Sequence, residues 1–237
     1  MKRKSYLIIS ILLFASLSCG KRTDKMEYIS GPQLQKLVQQ AVSGNKEANE
    51  KLSLYDPGMI PLPQTFDVSK VDSFKIDKKK YYYSLLQFPD PTFNRLAIYD
   101  NTGRLLLLDK SLNGDISLVL EENDGLQFLK VVESFISKDA LSIKRLSFYK
   151  LDPASIKLVF RSYFSLVAPN EIYSQDITSF LKDKIITKLT LPASMAESSA
   201  KVDTFNYDVS FGKYISRNNY FDEIIRHQVT DFNISKL

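Results

Sequence analysis

The sequence predicts a mainly β protein: an antiparallel sheet system, built as a sandwich, a curled sheet or blade-like units, preceded by a short N-terminal helical hairpin. Three observations lead there. From Phe66 onward, short runs rich in Val, Ile, Tyr, Phe and Leu alternate with turn residues. Upstream of them, apolar residues are spaced for a helix. Between the two, Asp56-Pro57-Gly58, Pro61 and Pro63 form an extended connector through which no helix continues.

The helical part comes first. Leu34, Leu37, Val38, Ala41 and Val42 fall at i, i+3, i+4, i+7 and i+8, which is one face of an amphipathic helix. Pro32 suits its first turn and Gly44-Asn45 its end. Ala48, Leu52 and Tyr55 predict a second short helix, so 31–56 reads as a helical hairpin and 64–237 as an antiparallel β domain. No second copy of the pair occurs, which argues against a solenoid.

Strands are expected over Phe66–Ile76, Lys80–Phe88, Arg95–Tyr99, Arg104–Leu108, Ile116–Glu121, Leu141–Leu151, Ile156–Leu166, Ile185–Leu191, Val202–Tyr214 and Ile224–Ile234. Gly103, at the end of Asp100-Asn101-Thr102-Gly103, marks a turn with positive φ. Asn113-Gly114 is the strongest hairpin signal, and Asn123-Asp124-Gly125 is a second one. Asp152-Pro153 and Pro169-Asn170 mark later breaks. In 126–136, Phe128, Val131, Val132, Phe135 and Ile136 have helical spacing but strand-forming residues, and a strand is preferred. In 174–186, Ile177, Phe180, Leu181 and Ile185 step helically behind Ser174 or Asp176, and a helix is preferred.

The N-terminus carries an address. Lys2, Arg3 and Lys4 precede an apolar run from Tyr6 to Phe14, and small residues lead into Cys19. A basic start, a short apolar core and small residues before a cut site make a secretory signal over 1–18. That core is shorter than the roughly 20 residues a membrane span requires. Small residues immediately before a Cys resemble the lipobox of bacterial lipoproteins, although Ser16 stands where the strict pattern has Leu. The resemblance implies cleavage before Cys19, acylation of its thiol with palmitate-type chains, and a polar tether over 19–30. Cys19 is the sole cysteine of 237 residues, and acylation would consume a thiol that an oxidising compartment makes a liability. Gly20 follows the Cys where enteric inner-membrane lipoproteins carry Asp, which favours the outer membrane. The envelope face is left open.

A second resemblance covers 95–164. Leu96-Ala97-Ile98-Tyr99-Asp100-Asn101-Thr102-Gly103, then Glu121-Glu122-Asn123-Asp124-Gly125, then Leu146-Ser147-Phe148-Tyr149 follow one another as in envelope proteins with FG-GAP-type blades. In that family the acidic loop holds calcium. Here its ligand places fall on Leu120, Glu122, Asp124 and Phe128, and two carboxylates do not supply the six to eight oxygens calcium takes. No metal or cofactor is expected.

Charge and composition exclude further classes. The net charge of +5 shrinks once the leader's three basic residues are removed, leaving 29 basic against 27 acidic residues. Such a surface has no steering field for nucleic acid. Lys78-Lys79-Lys80 before Tyr81-Tyr82-Tyr83 reads as a turn entering a strand, with Tyr82 facing away from the other two. The single histidine, His227, is expected on a strand, and no nucleophile elbow accompanies it. No catalytic residues are assigned. Enzyme status is left open, with a non-enzyme preferred.

The leading expectation is therefore a membrane-anchored bacterial envelope lipoprotein that binds or scaffolds other proteins. Its contacts would be the membrane, through the lipid, and an envelope protein partner. One alternative is a carrier holding an apolar ligand or lipid in a β-sheet cavity, which requires a continuous apolar hollow. Another is a carboxylate-dependent hydrolase, which requires acids converging in a cleft.

Overall fold

A computed structural model describes residues 30–55, 68–89, 94–137, 139–153, 155–192 and 200–228. The leader, Cys19, nearly all of the tether and the Pro-rich connector lie outside the described residues. The chain is mainly β, with two antiparallel sheets and a few short helices.

Among the described residues two helices come first, α1 (Gly31–Val42) and α2 (Lys46–Tyr55). Ser30 caps α1 through a capping box with Gln33, and Pro32 occupies the first turn. Gly44 leaves the helix at φ +89°, a conformation that favours glycine. The Asn45 side chain then accepts from the Ala48 N–H at 3.0 Å.

Sheet A is a meander of β1 (Val68–Ile76), β2 (Lys79–Gln87), β3 (Arg95–Tyr99) and β4 (Leu105–Asp109). Its first turn, Asp77-Lys78, has positive φ at both residues, the twist that a two-residue hairpin needs. Residues 81–87 of β2 are all buried, because sheet A is covered twice. On one face Leu34, Leu37, Val38, Ala41, Ala48 and Leu52 of the helices pack against Leu86, Phe88, Ala97 and Tyr99. On the other, Tyr81, Tyr83, Leu85, Leu96 and Ile98 meet Leu129, Val131, Tyr149 and Leu151 of the second sheet.

Sheet B has eight strands: β5 (Asp115–Asn123), β6 (Leu126–Ile136), β7 (Ser142–Asp152), β8 (Ser155–Ala168), β9 (Glu171–Phe180), β10 (Lys184–Thr190), β11 (Lys201–Asp208) and β12 (Lys213–Ile215). Every strand pairs with its neighbours in sequence. The sheet curls strongly. Phe128 on β6 and Phe180 on β9 have ring centroids 4.9 Å apart, and Phe160 on β8 and Phe205 on β11 are 5.1 Å apart. Each pair lies three strands apart, about 14 Å in a flat sheet. The hollow of the curl is filled by these rings with Phe148 and Tyr214. On the opposite face, sheet A covers one part and α3 (Tyr220–Gln228) another, through Phe221 and Ile225 against Ile143, Tyr163, Leu166 and Tyr173.

Four expectations are corrected. Residues 174–186 form the β9–β10 hairpin instead of a helix: an extra residue at Thr178 shifts the register, so Gln175, Ile177 and Phe180, opposite Leu189, Thr187 and Ile185, all lie on one face of the hairpin. Residues 224–228 belong to α3 instead of a strand; Phe221 and Ile225 are one turn apart and face the sheet together. The remainder of that expected strand, 229–234, lies outside the described residues. Val202–Tyr214 is a hairpin of β11 and β12 turning at 209–212. Asn113-Gly114 makes no hairpin, since it ends the link carrying the chain from sheet A to sheet B. The strand over 126–136 is present as β6, and residues 95–164 divide between both sheets.

Candidate functional site

Where sheet A and α3 meet over sheet B, the covering leaves a seam, and the seam is polar. Arg145 on β7 and Glu133 on β6 are both completely buried, with Nη2 2.6 Å from Oε1 and Nε 2.8 Å from Oε2, a two-pronged pair. Glu133 also takes the Asn113 backbone N–H at 2.7 Å. Arg161 on β8 reaches Asp109, the last residue of β4, at 2.6 Å, and Ser147 at 2.8 Å. The Tyr149 hydroxyl donates to the same Asp109 carboxylate, and the Ser111 N–H donates to it at 2.7 Å.

The electrostatics follow from this packing. Burial pushes the Asp109 carboxyl up, but the Arg161 guanidinium with the Ser111 and Tyr149 donors outweighs it, so the group stays below the usual carboxylate value. Burial and the Asp109 charge hold the Tyr149 phenol well above its usual value. Asp109 is thus held as a carboxylate beside the Arg161 guanidinium, with Tyr149 as a neutral phenol. The groups of the network are largely bound to one another, which makes it a clasp between the two sheets.

Asp222 lies at the other border of the seam, in the first turn of α3. Burial raises its pKa, against the help of Asn219, the Tyr163 backbone N–H, Arg226 and Arg145. Its Oδ2 accepts from Asn219 Nδ2 at 2.5 Å, while its Oδ1 is buried without a hydrogen bond. Asp203 on β11 fastens the same helix, accepting from Ser216 and from the Tyr220 backbone N–H.

The residues singled out from sequence lie elsewhere. His227 is exposed in the last turn of α3 beside Arg226, not on a strand. Glu121 pairs with Lys130 at 2.7 Å, Asp124 accepts from the Lys182 N–H at 3.1 Å, and Glu122 is exposed. Among the described residues no group of His, Cys, Asp and Glu is placed to hold a metal ion. Tyr81 and Tyr83 face the inter-sheet core, with Tyr82 on the opposite face of the strand.

The seam was missed from sequence, yet it left a trace there. Glu133, Arg145 and Arg161 each interrupt an apolar strand run, and a buried charge requires a partner.

Sheet B also exposes an aliphatic row. Register pairs Ile136 with Ser142, Ser142 with Val167 and Val167 with Ile172, so these residues stand side by side across four strands. Ile136 is 74% exposed, Ile172 62% and Val167 39%. Among known proteins, the chain matches no family model, no curated protein and no solved structure at a significant level.

Proposed function

We propose that the mature protein is a bacterial envelope lipoprotein, anchored through acyl chains on Cys19, that works by binding another envelope protein. The anchor rests on the leader and its cysteine. The observation that carries the binding role is the row of Ile136, Val167 and Ile172, three branched aliphatic side chains turned to solvent across neighbouring strands. Val167 and Ile172 are direct neighbours and Ile136 stands one strand further on beyond Ser142, and exposed aliphatic side chains clustered in this way favour an interaction site. The aromatic filling of the curled sheet speaks against the carrier alternative, which needs that space for a ligand.

Two measurements test this reading. Intact mass of the membrane-extracted protein is expected to show loss of 1–18 and an acylated Cys19; a retained leader or a free thiol there would overturn the anchor. Photo-crosslinking from positions 136, 167 and 172 in cells is expected to trap one reproducible partner protein. Traps no different from those at exposed Lys188 would overturn the binding role.

A further inference from the structure

We propose that the free edge of β5 is a strand-addition site for an extended, basic polypeptide segment of a partner. The proposal deepens the protein-binding role and rests on it, but it uses a different surface from the aliphatic row. Among the described residues, strand β5 ends sheet B and pairs only with β6, in unbroken register over nine residues. The other end of the sheet, β12, is three residues long. Long edges are normally blunted by proline, lysine or a bulge. Strand β5 has none of these, and its charged side chains are the acids Asp115, Glu121 and Glu122.

The direction of its free backbone groups can be assigned. The Ile116 N–H donates to Gln87 Oε1 at 2.7 Å, so it points away from β6. In an antiparallel pair that direction alternates along the strand. The N–H and C=O groups of Leu118, Leu120 and Glu122 therefore point outward as well. Val119 and Leu120 flank this line, each half exposed.

Charge defines the partner. No Lys or Arg occurs between Lys110 and Lys130, while Asp115, Glu121, Glu122 and Asp124 all lie in that span. Only Glu121 among them is paired to a cation, Lys130, within 4 Å among the described residues. At the far end of the strand a crevice of about 210 Å³ opens between Lys75 of β1 and Leu120, Glu121, Glu122 and Gln127. A buried Gln127 carboxamide oxygen there has no hydrogen-bond partner. A strand lying on β5 would gain main-chain hydrogen bonds along the edge, as in other strand additions. Alternate Lys or Arg side chains on it would meet the acids.

The test uses the full mature chain and an acetylated nine-residue peptide alternating Val and Lys, with its Val/Glu counterpart as control. Binding is read by fluorescence anisotropy, and its place by amide hydrogen exchange. The cationic peptide is expected to bind, to slow exchange at Leu118, Leu120 and Glu122, and to do neither in the anionic form. Leu120→Pro removes an outward N–H and no ladder bond, so the variant is expected to fold normally. It should weaken binding about tenfold or more, and Glu122→Lys should do likewise. Equal binding by both peptides, or undiminished binding to Leu120→Pro, would overturn the proposal. Self-association of the protein that Leu120→Pro abolishes would also overturn it, in favour of a second copy. Crosslinks from 136, 167 and 172 report on the aliphatic row independently, so loss of the β5 site leaves the broader role to its own test.

Discussion

Asp109 and Arg161 meet at 2.6 Å although one ends sheet A and the other lies mid-strand in sheet B. Together with Arg145, Glu133 and Tyr149 they clasp two layers whose remaining contact is largely apolar. Removing one member strands the other: Arg161→Met is expected to cost about 3–5 kcal/mol in urea unfolding. The double variant Asp109→Leu/Arg161→Met should lose less than the single one, because no buried charge is left alone. Additive losses would show that the two groups do not interact.

Two of the seam carboxyls, Asp109 and Asp222, respond to acid in opposite senses. Asp109 is held below its usual pKa, so its share of stability is present above the unfolded carboxyl's value and is lost as pH falls through the folded one. Asp222 is raised, so its share is present at low pH and is lost as pH rises through its folded value. Asp222→Asn keeps the shape, and its amide can donate to Asn219 Oδ1, which lacks a partner. That variant is expected to be more stable than the wild type at pH 7, with the difference closing toward pH 4. Urea midpoints across that range are the check.

Gly114, at φ +57°, is where the chain enters sheet B. A Cβ there would lie 2.2 Å from the Ser134 carbonyl oxygen and 2.6 Å from Phe135 Cβ. Gly114→Ala is expected to cost about 3 kcal/mol or to prevent folding. Gly125→Ala has a similar φ with open space around it, and should cost about 1–2 kcal/mol from backbone strain alone. Thermal unfolding of the two variants side by side separates the clash from the strain.

Phe148 touches Phe128, Phe160 and Phe180 inside the curl. Phe148→Ala is expected to cost about 3–5 kcal/mol. Ser in place of Ile136, Val167 or Ile172 should change stability by about 0.5 kcal/mol or less at each site, since these side chains are exposed. Denaturant unfolding checks both. The serine variants should lose the crosslinked partner while remaining folded.

Much of the sheet system was legible because local chemistry decides it. Asp124-Gly125 has the positive φ values its letters suggest, and the run Arg95–Tyr99 is strand β3. The failures share a cause. In β9 the bulge at Thr178 puts Ile177 and Phe180 on one face three residues apart, and with Ile185 opposite Phe180 this spacing mimics a helix. Helix α3 was signalled by Asp222 and Glu223 in its first turn and Arg226 and His227 in its last, but its short apolar face also fits a strand. The Asp109–Arg161 pair joins positions 52 residues apart, and only the stacking of the sheets shows which buried charge meets which.

Because both sheets are plain meanders, each new strand can zip onto the one just before it, without waiting for a distant segment. Proteins with local pairing of this kind fold faster than those that must close long loops first. Sheet A lies wholly N-terminal to sheet B, so a polypeptide emerging amino end first could complete one layer and use it as the template on which the next condenses.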